Sequence, residues 1–228
     1  MKYIPSIAFE EMSGSAKGVT AAKVKSRKYI RNRGYGGSTR TSYQASVKAV
    51  FKQLSQAWKG LTNAQILAWN AAANTAEGRS VLGTKSKISG CNLFMRLNYW
   101  VVYCGGSIMT AVPTLSGIEA PADATVVLSS SAMTFQLADI PSDVTYLKLI
   151  IQASESQGNG ITRAYSKAPA FGEPITPVST AIDIKSDYDK KCGTPSAGYP
   201  KIFLRYFYVS TATGEKSGEK MASAVLSA

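Results

Sequence analysis

From Thr41 to Cys104 the apolar residues recur in steps of three and four, and from Val112 onward they fall into short runs broken by turn residues. Val47, Val50, Phe51, Leu54 and Trp58 make one helical stripe, which Thr41 or Ser42 caps and Gly60 ends. Thr62 and Gln65 have the spacing of a capping box, predicting a second helix from Asn63 that carries Ile66, Leu67, Trp69, Asn70 and Ala73 and stops before Gly78. A third is predicted from about Ser89 to Cys104, with Leu93, Phe94, Leu97, Val101 and Cys104 on its core face. Apolar residues at helical spacing belong to a core, so Trp58 and Trp69 are expected to pin helices together rather than stack on bases.

Beyond Gly105-Gly106 and Pro113 the pattern predicts strands at Thr114–Ile118, Thr125–Leu128, Ala132–Leu137, Val144–Ala153, Ile161–Tyr165, Val178–Ile184, Lys201–Ser210 and Lys220–Leu226. Short strands in this number and length are those of a β-sandwich. Helices followed by strands predict an α+β multidomain chain: an arm over 1–40, a helical domain over 41–110 and an antiparallel sandwich over 111–228.

Charge sharpens that division. The chain has 228 residues and a formal net charge of +12. Residues 1–110 hold 16 basic and 3 acidic side chains, and residues 111–228 hold 10 and 11. No acid occurs between Glu11 and Glu77, whereas eleven Lys and Arg do. Gly14, Gly18, Gly34, Gly36 and Gly37 disfavour a helix before Thr41. Residues 13–40 are therefore expected to form an extended basic arm that orders on an anionic partner. Lys23, Lys25, Arg27, Lys28, Arg31, Arg33 and Arg40 are its expected contact residues.

Composition also excludes chemistry. Histidine is absent, so no Ser-His-Asp or Cys-His device and no His-containing zinc site exists. Cys91, Cys104 and Cys192 form no CxxC pair. Cys91 and Cys104 stand too far apart on one helix to bridge, and both read as small apolar fillers. Gly34-Tyr35-Gly36-Gly37 fits no phosphate-binding loop. Asp183, Asp187 and Asp189, interspersed with Lys185, Lys190 and Lys191, read as a solvated loop without calcium-loop order. No catalytic, metal or cofactor residue is expected. No apolar run reaches the eighteen residues of a membrane span, and Met1–Phe9 lacks a signal-peptide core, so synthesis and use in a reducing place without secretion are expected.

Three readings compete: an assembly protein whose basic arm and helices dock on an acidic protein surface, a nucleic-acid binder with Tyr29, Tyr35 and Tyr43 stacking on bases, or an adhesin or glycan-binding module whose exposed sandwich loops hold the ligand. Two resemblances bear on the choice. Tyr206, Tyr208 and Val209 followed by Thr213-Gly214-Glu215-Lys216-Ser217-Gly218 resemble the end of an immunoglobulin-like or fibronectin type III domain, without the paired cysteines of antibody domains. The string Trp58-Lys59-Gly60-Leu61-Thr62-Asn63-Ala64-Gln65, then Ala68-Trp69-Asn70 and Ala73, then Gly90-Cys91-Asn92-Leu93-Phe94 and Asn98, is similar to a pattern in small proteins encoded by tailed phages and prophages of gut bacteria. The match runs in order through residues 14–98. Those proteins usually have tryptophan, lysine and glycine before the arm's Tyr-Ile-Arg, where this chain has Ser26, Arg27 and Lys28. The plan resembles an auxiliary capsid protein of a crAss-like phage. That resemblance implies a decoration protein on the virion surface, assembled in the host cytoplasm. Its partners would be the major capsid protein, other virion proteins and further copies of itself, with nucleic acid as second choice and no membrane. A head-fibre or tail-associated adhesion module is the other virion role it admits.

Overall fold

The computed structural model describes residues 13–16, 18–24, 27–32, 41–79 and 85–227. The chain is α+β and divides into two compact units, Met1–Ser46 and Val47–Ala228.

In the smaller unit, β1 (Gly14–Ala16), β2 (Val19–Val24) and β3 (Arg27–Asn32) form an antiparallel meander where an extended arm is expected. Gly18, at φ +86°, lies between β1 and β2, a backbone shape open to glycine. Ser15 and Thr20 share a 2.8 Å hydroxyl hydrogen bond across that pair. The loose alternation of Val19, Ala21 and Ile30 with polar residues is a strand period, and pairing satisfies the backbone groups an arm would leave to water.

The larger unit begins with helices. Its first is α1, whose full span is Ser42–Lys59, followed by α2 (Asn63–Ala73) and α3 (Gly90–Tyr103). Thr62 and Gln65 make the capping box, and the Ser89 hydroxyl accepts from the Asn92 N–H at the start of α3. Trp69 is fully buried and meets Phe94 edge-on at 5.3 Å, while Trp58 tilts onto the same ring at 5.4 Å. Leu54 is buried with them, but Phe51 leaves the stripe and stands 45% exposed. A hairpin absent from the sequence prediction, β4 (Glu77–Arg79) and β5 (Lys85–Lys87), lies between α2 and α3.

Two three-stranded antiparallel sheets follow. One has the order β6 (Ala124–Leu128), β7 (Met133–Leu137), β9 (Ile182–Asp183). The other has the order β11 (Lys220–Val225), β10 (Lys201–Ser210), β8 (Leu147–Ala153). Leu128, Met133, Phe135 and Leu137 from the first share one core with Leu149, Ile151, Leu204, Tyr206 and Tyr208 from the second. Among the described residues, Thr114–Ile118 and Ile161–Tyr165 are not strands, and Val178–Ile184 shrinks to the two residues of β9. The Glu215 carboxylate explains the first loss: it accepts the N–H groups of Ser116 and Gly117, which a ladder would otherwise need.

The boundary expected near residue 110 is not a gap in packing. Ile150, Phe207 and Val209, on the other face of β8 and β10, pack against Trp100 and Tyr103 of α3 and against Cys104 just after it. Trp100 meets Phe207 edge-on at 5.4 Å. Strand β10 is thus covered on both faces, which is why Ile202–Val209 is nearly all apolar.

Candidate functional site

The basic meander is the first candidate. Its register sets Lys23 opposite Lys28 and Thr20 opposite Arg31, and the β2–β3 ladder ends at Val24 and Arg27. Strand alternation puts Lys23 and Lys28 on the face of Ala21 and Ile30, and Arg31 on the other face with Tyr29. Lys23 and Arg31 are exposed, and Lys28 is half-buried. Pairing gathers these cations within two short strands but divides them between two faces. Lys25, Arg33 and Arg40, also expected to make contact, lie outside the described residues.

The strand-rich half carries ion pairs of its own. Lys185 pairs with Asp189 at 2.5 Å, Arg205 with Glu219 at 3.2 Å and Lys220 with Asp123 at 2.8 Å. Burial pushes the Glu219 carboxyl up, but Lys216 and Arg205 beside it outweigh that and hold it below its usual range. The aspartate cluster is no solvated loop. Residues Lys185–Cys192 form a helix, α4, with Lys185 and Tyr188 buried. Asp183 stands before it and accepts the N–H groups of Lys185 and Met133, which lower its pKa. These carboxylates cap and pair. Among the described residues no group of three His, Cys, Asp or Glu is placed to hold a metal ion.

The thiols are poor nucleophiles. Burial raises all three, and Cys104 is pushed up to about 11 even with Lys148 nearby. Cys104 lines a cleft of about 490 Å³ with Tyr103, Lys148 and Glu173. A smaller one, about 280 Å³, lies between α3 and the Gly214–Lys216 turn, with Arg96 and Trp100 on its wall.

The residues that carry the phage-like pattern serve the fold. Beyond the Thr62–Gln65 box and the Trp58–Phe94–Trp69 cluster, Gly90 sits where a Cβ would overlap the backbone of Trp69 and Asn70. Asn98 is fully buried. Its amide donates to the carbonyls of Phe94 and Met109, and its oxygen accepts the Met109 N–H at 2.6 Å. The Trp69 indole donates to the Thr110 carbonyl at 2.9 Å. These bonds fix the chain leaving α3.

One feature of the helices extends past Arg40, where the expected contacts stop. Lys48, Lys52 and Lys59 stand at i, i+4 and i+11 on α1, within one narrow and exposed face. Spacing alone carries that signal. The neighbouring row of rings does not follow from spacing: Phe51 stacks on Tyr99 at 5.4 Å and 20°, and Tyr99 on Tyr103 at 6.1 Å and 18°.

The architecture therefore defines an α+β chain with a basic meander and a helix-backed pair of sheets. No protein-family model matches the chain, and no curated protein matches it significantly. Among the described residues no helix is long and apolar enough to cross a membrane.

Proposed function

We propose that this chain is a non-enzymatic structural protein of a tailed-phage virion, an auxiliary capsid protein that decorates the shell. The basic meander docks on an acidic face of the major capsid protein, and an immunoglobulin-like or fibronectin type III-like sandwich is displayed. One observation carries the reading. The acid-free window from Met12 to Ala76 supplies the cationic meander, while cations of the strand-rich half such as Lys185, Arg205 and Lys220 pair with acids of the same half. A cationic strand pair fits a large anionic surface through many weak contacts, each worth about 0–1 kcal/mol. The two antiparallel sheets around one core support the sandwich part of the reading.

The test is incorporation. Particles assembled with a chain lacking residues 13–40, or carrying Lys23→Gln, Lys28→Gln and Arg31→Gln together, are purified and the ratio of this chain to the major capsid protein is measured. The deletion is expected to abolish incorporation and the triple substitution to reduce it, more so at higher salt. Incorporation at the unaltered level by the deletion variant refutes the docking role.

A further inference from the structure

The outer face of α1 combines three observations that shell docking by the meander does not use. First, Lys48, Lys52 and Lys59 line one exposed face over about 16 Å of helix. Second, no acid occurs anywhere in α1 or α2. A helix face that merely keeps a protein in water mixes both signs, and Lys48 and Lys52 stand at a spacing where like charges repel. Third, Phe51 borders the lysines and ends the stacked row of Phe51, Tyr99 and Tyr103, with 45% of its surface open.

We propose that this face binds single-stranded nucleic acid. The lysines track the phosphates, and an unpaired base continues the row on Phe51. Cationic grooves beside aromatic rings bind single strands in this way, because every base has a face to stack. A duplex keeps its bases stacked on one another and leaves the ring unused. An acidic protein surface engages the lysines but gives the row no role. The inference rests on the larger unit alone, so it stands or fails apart from docking by the meander.

The test measures binding of the full chain to labelled oligo-dT, oligo-rU and a duplex of equal length, by fluorescence anisotropy across a salt series. Both single strands are expected to bind more tightly than the duplex. Replacing Lys48, Lys52 and Lys59 together by Gln is expected to lower the slope of log affinity against log salt by about 2, at about 0.7 per phosphate for a single strand. Phe51→Leu is expected to weaken oligo-dT binding about ten-fold and leave duplex binding unchanged, and Phe51→Trp to preserve or tighten it. All these positions are exposed, and matching thermal melts confirm that each variant folds. Preference between oligo-dT and oligo-rU assigns DNA or RNA. Single-strand binding unaltered in the lysine variant overturns the proposal. So does duplex binding that equals single-strand binding and ignores Phe51. Competition by poly-glutamate as effective as that by oligo-dT assigns the face to an acidic protein and overturns it too.

Discussion

Asn98 replaces a missing stretch of secondary structure. Its amide takes both the N–H and the C=O of Met109, so the chain leaving α3 is held by a side chain where no ladder reaches. Asn98→Leu leaves those two part-buried groups without their protein partner, at about 1–2 kcal/mol each. The expected outcome is a loss of about 2–4 kcal/mol in urea unfolding. Gly214 poses a separate problem. Its φ is +70°, and a Cβ there would overlap the backbone of Leu97. Gly105 has a similar φ of +83° with nothing within 4 Å of the same position. Gly105→Ala is expected to cost about 1–2 kcal/mol of backbone strain. Gly214→Ala is expected to cost a further 1–3 kcal/mol or so, because α3 has to move away. Equal urea midpoints for the two variants would show that the Gly214 turn is not seated against α3.

Among the elements, α2 was legible and α4 was not. The Thr62–Gln65 box is a local code, and both of its hydrogen bonds form. Thr62→Ala is expected to lower stability by about 1 kcal/mol, read from the thermal midpoint. Helix α4 carries no apolar stripe. It buries only Lys185 and Tyr188, and its place is set by distant partners: Tyr188 donates to the Ser154 carbonyl, and Ile184 N–H donates to the Met133 carbonyl. Nothing within those eight residues announces such contacts. The Thr114–Ile118 run failed in the opposite direction, since Glu215, about a hundred residues later, takes the N–H groups of Ser116 and Gly117. Of the candidate sites, the cations and their acid-free window were plain in the sequence. Their division between two faces was not, because the β2–β3 register sets it. The ring row of Phe51, Tyr99 and Tyr103 needed two helices brought together.

For the whole molecule, pH is a readable probe. Hydrogen bonds from backbone N–H groups hold Asp183 below its ordinary value, and Lys216 and Arg205 do so for Glu219. Folded values below unfolded ones mean that the stabilisation is complete above the unfolded carboxylate range and is lost as pH falls through the folded values. Burial raises Cys104, Tyr206 and Tyr208, so their contribution is complete below their unfolded values and is lost as pH rises through the folded ones. With no histidine, nothing among these groups titrates in between. The urea midpoint is expected to be flat from about pH 6 to 8, to fall below about pH 4 and to fall again above about pH 9. A slope across neutrality would mean that a group outside this set governs stability.

The double cover of β10 has a practical consequence for anyone cutting the chain. A cut at residue 110 strips α3 away and bares Ile150, Phe207 and Val209 on one side of the sheet. Such a fragment would be sticky and prone to precipitate. A fragment that keeps both faces of β10 covered therefore has to retain α3.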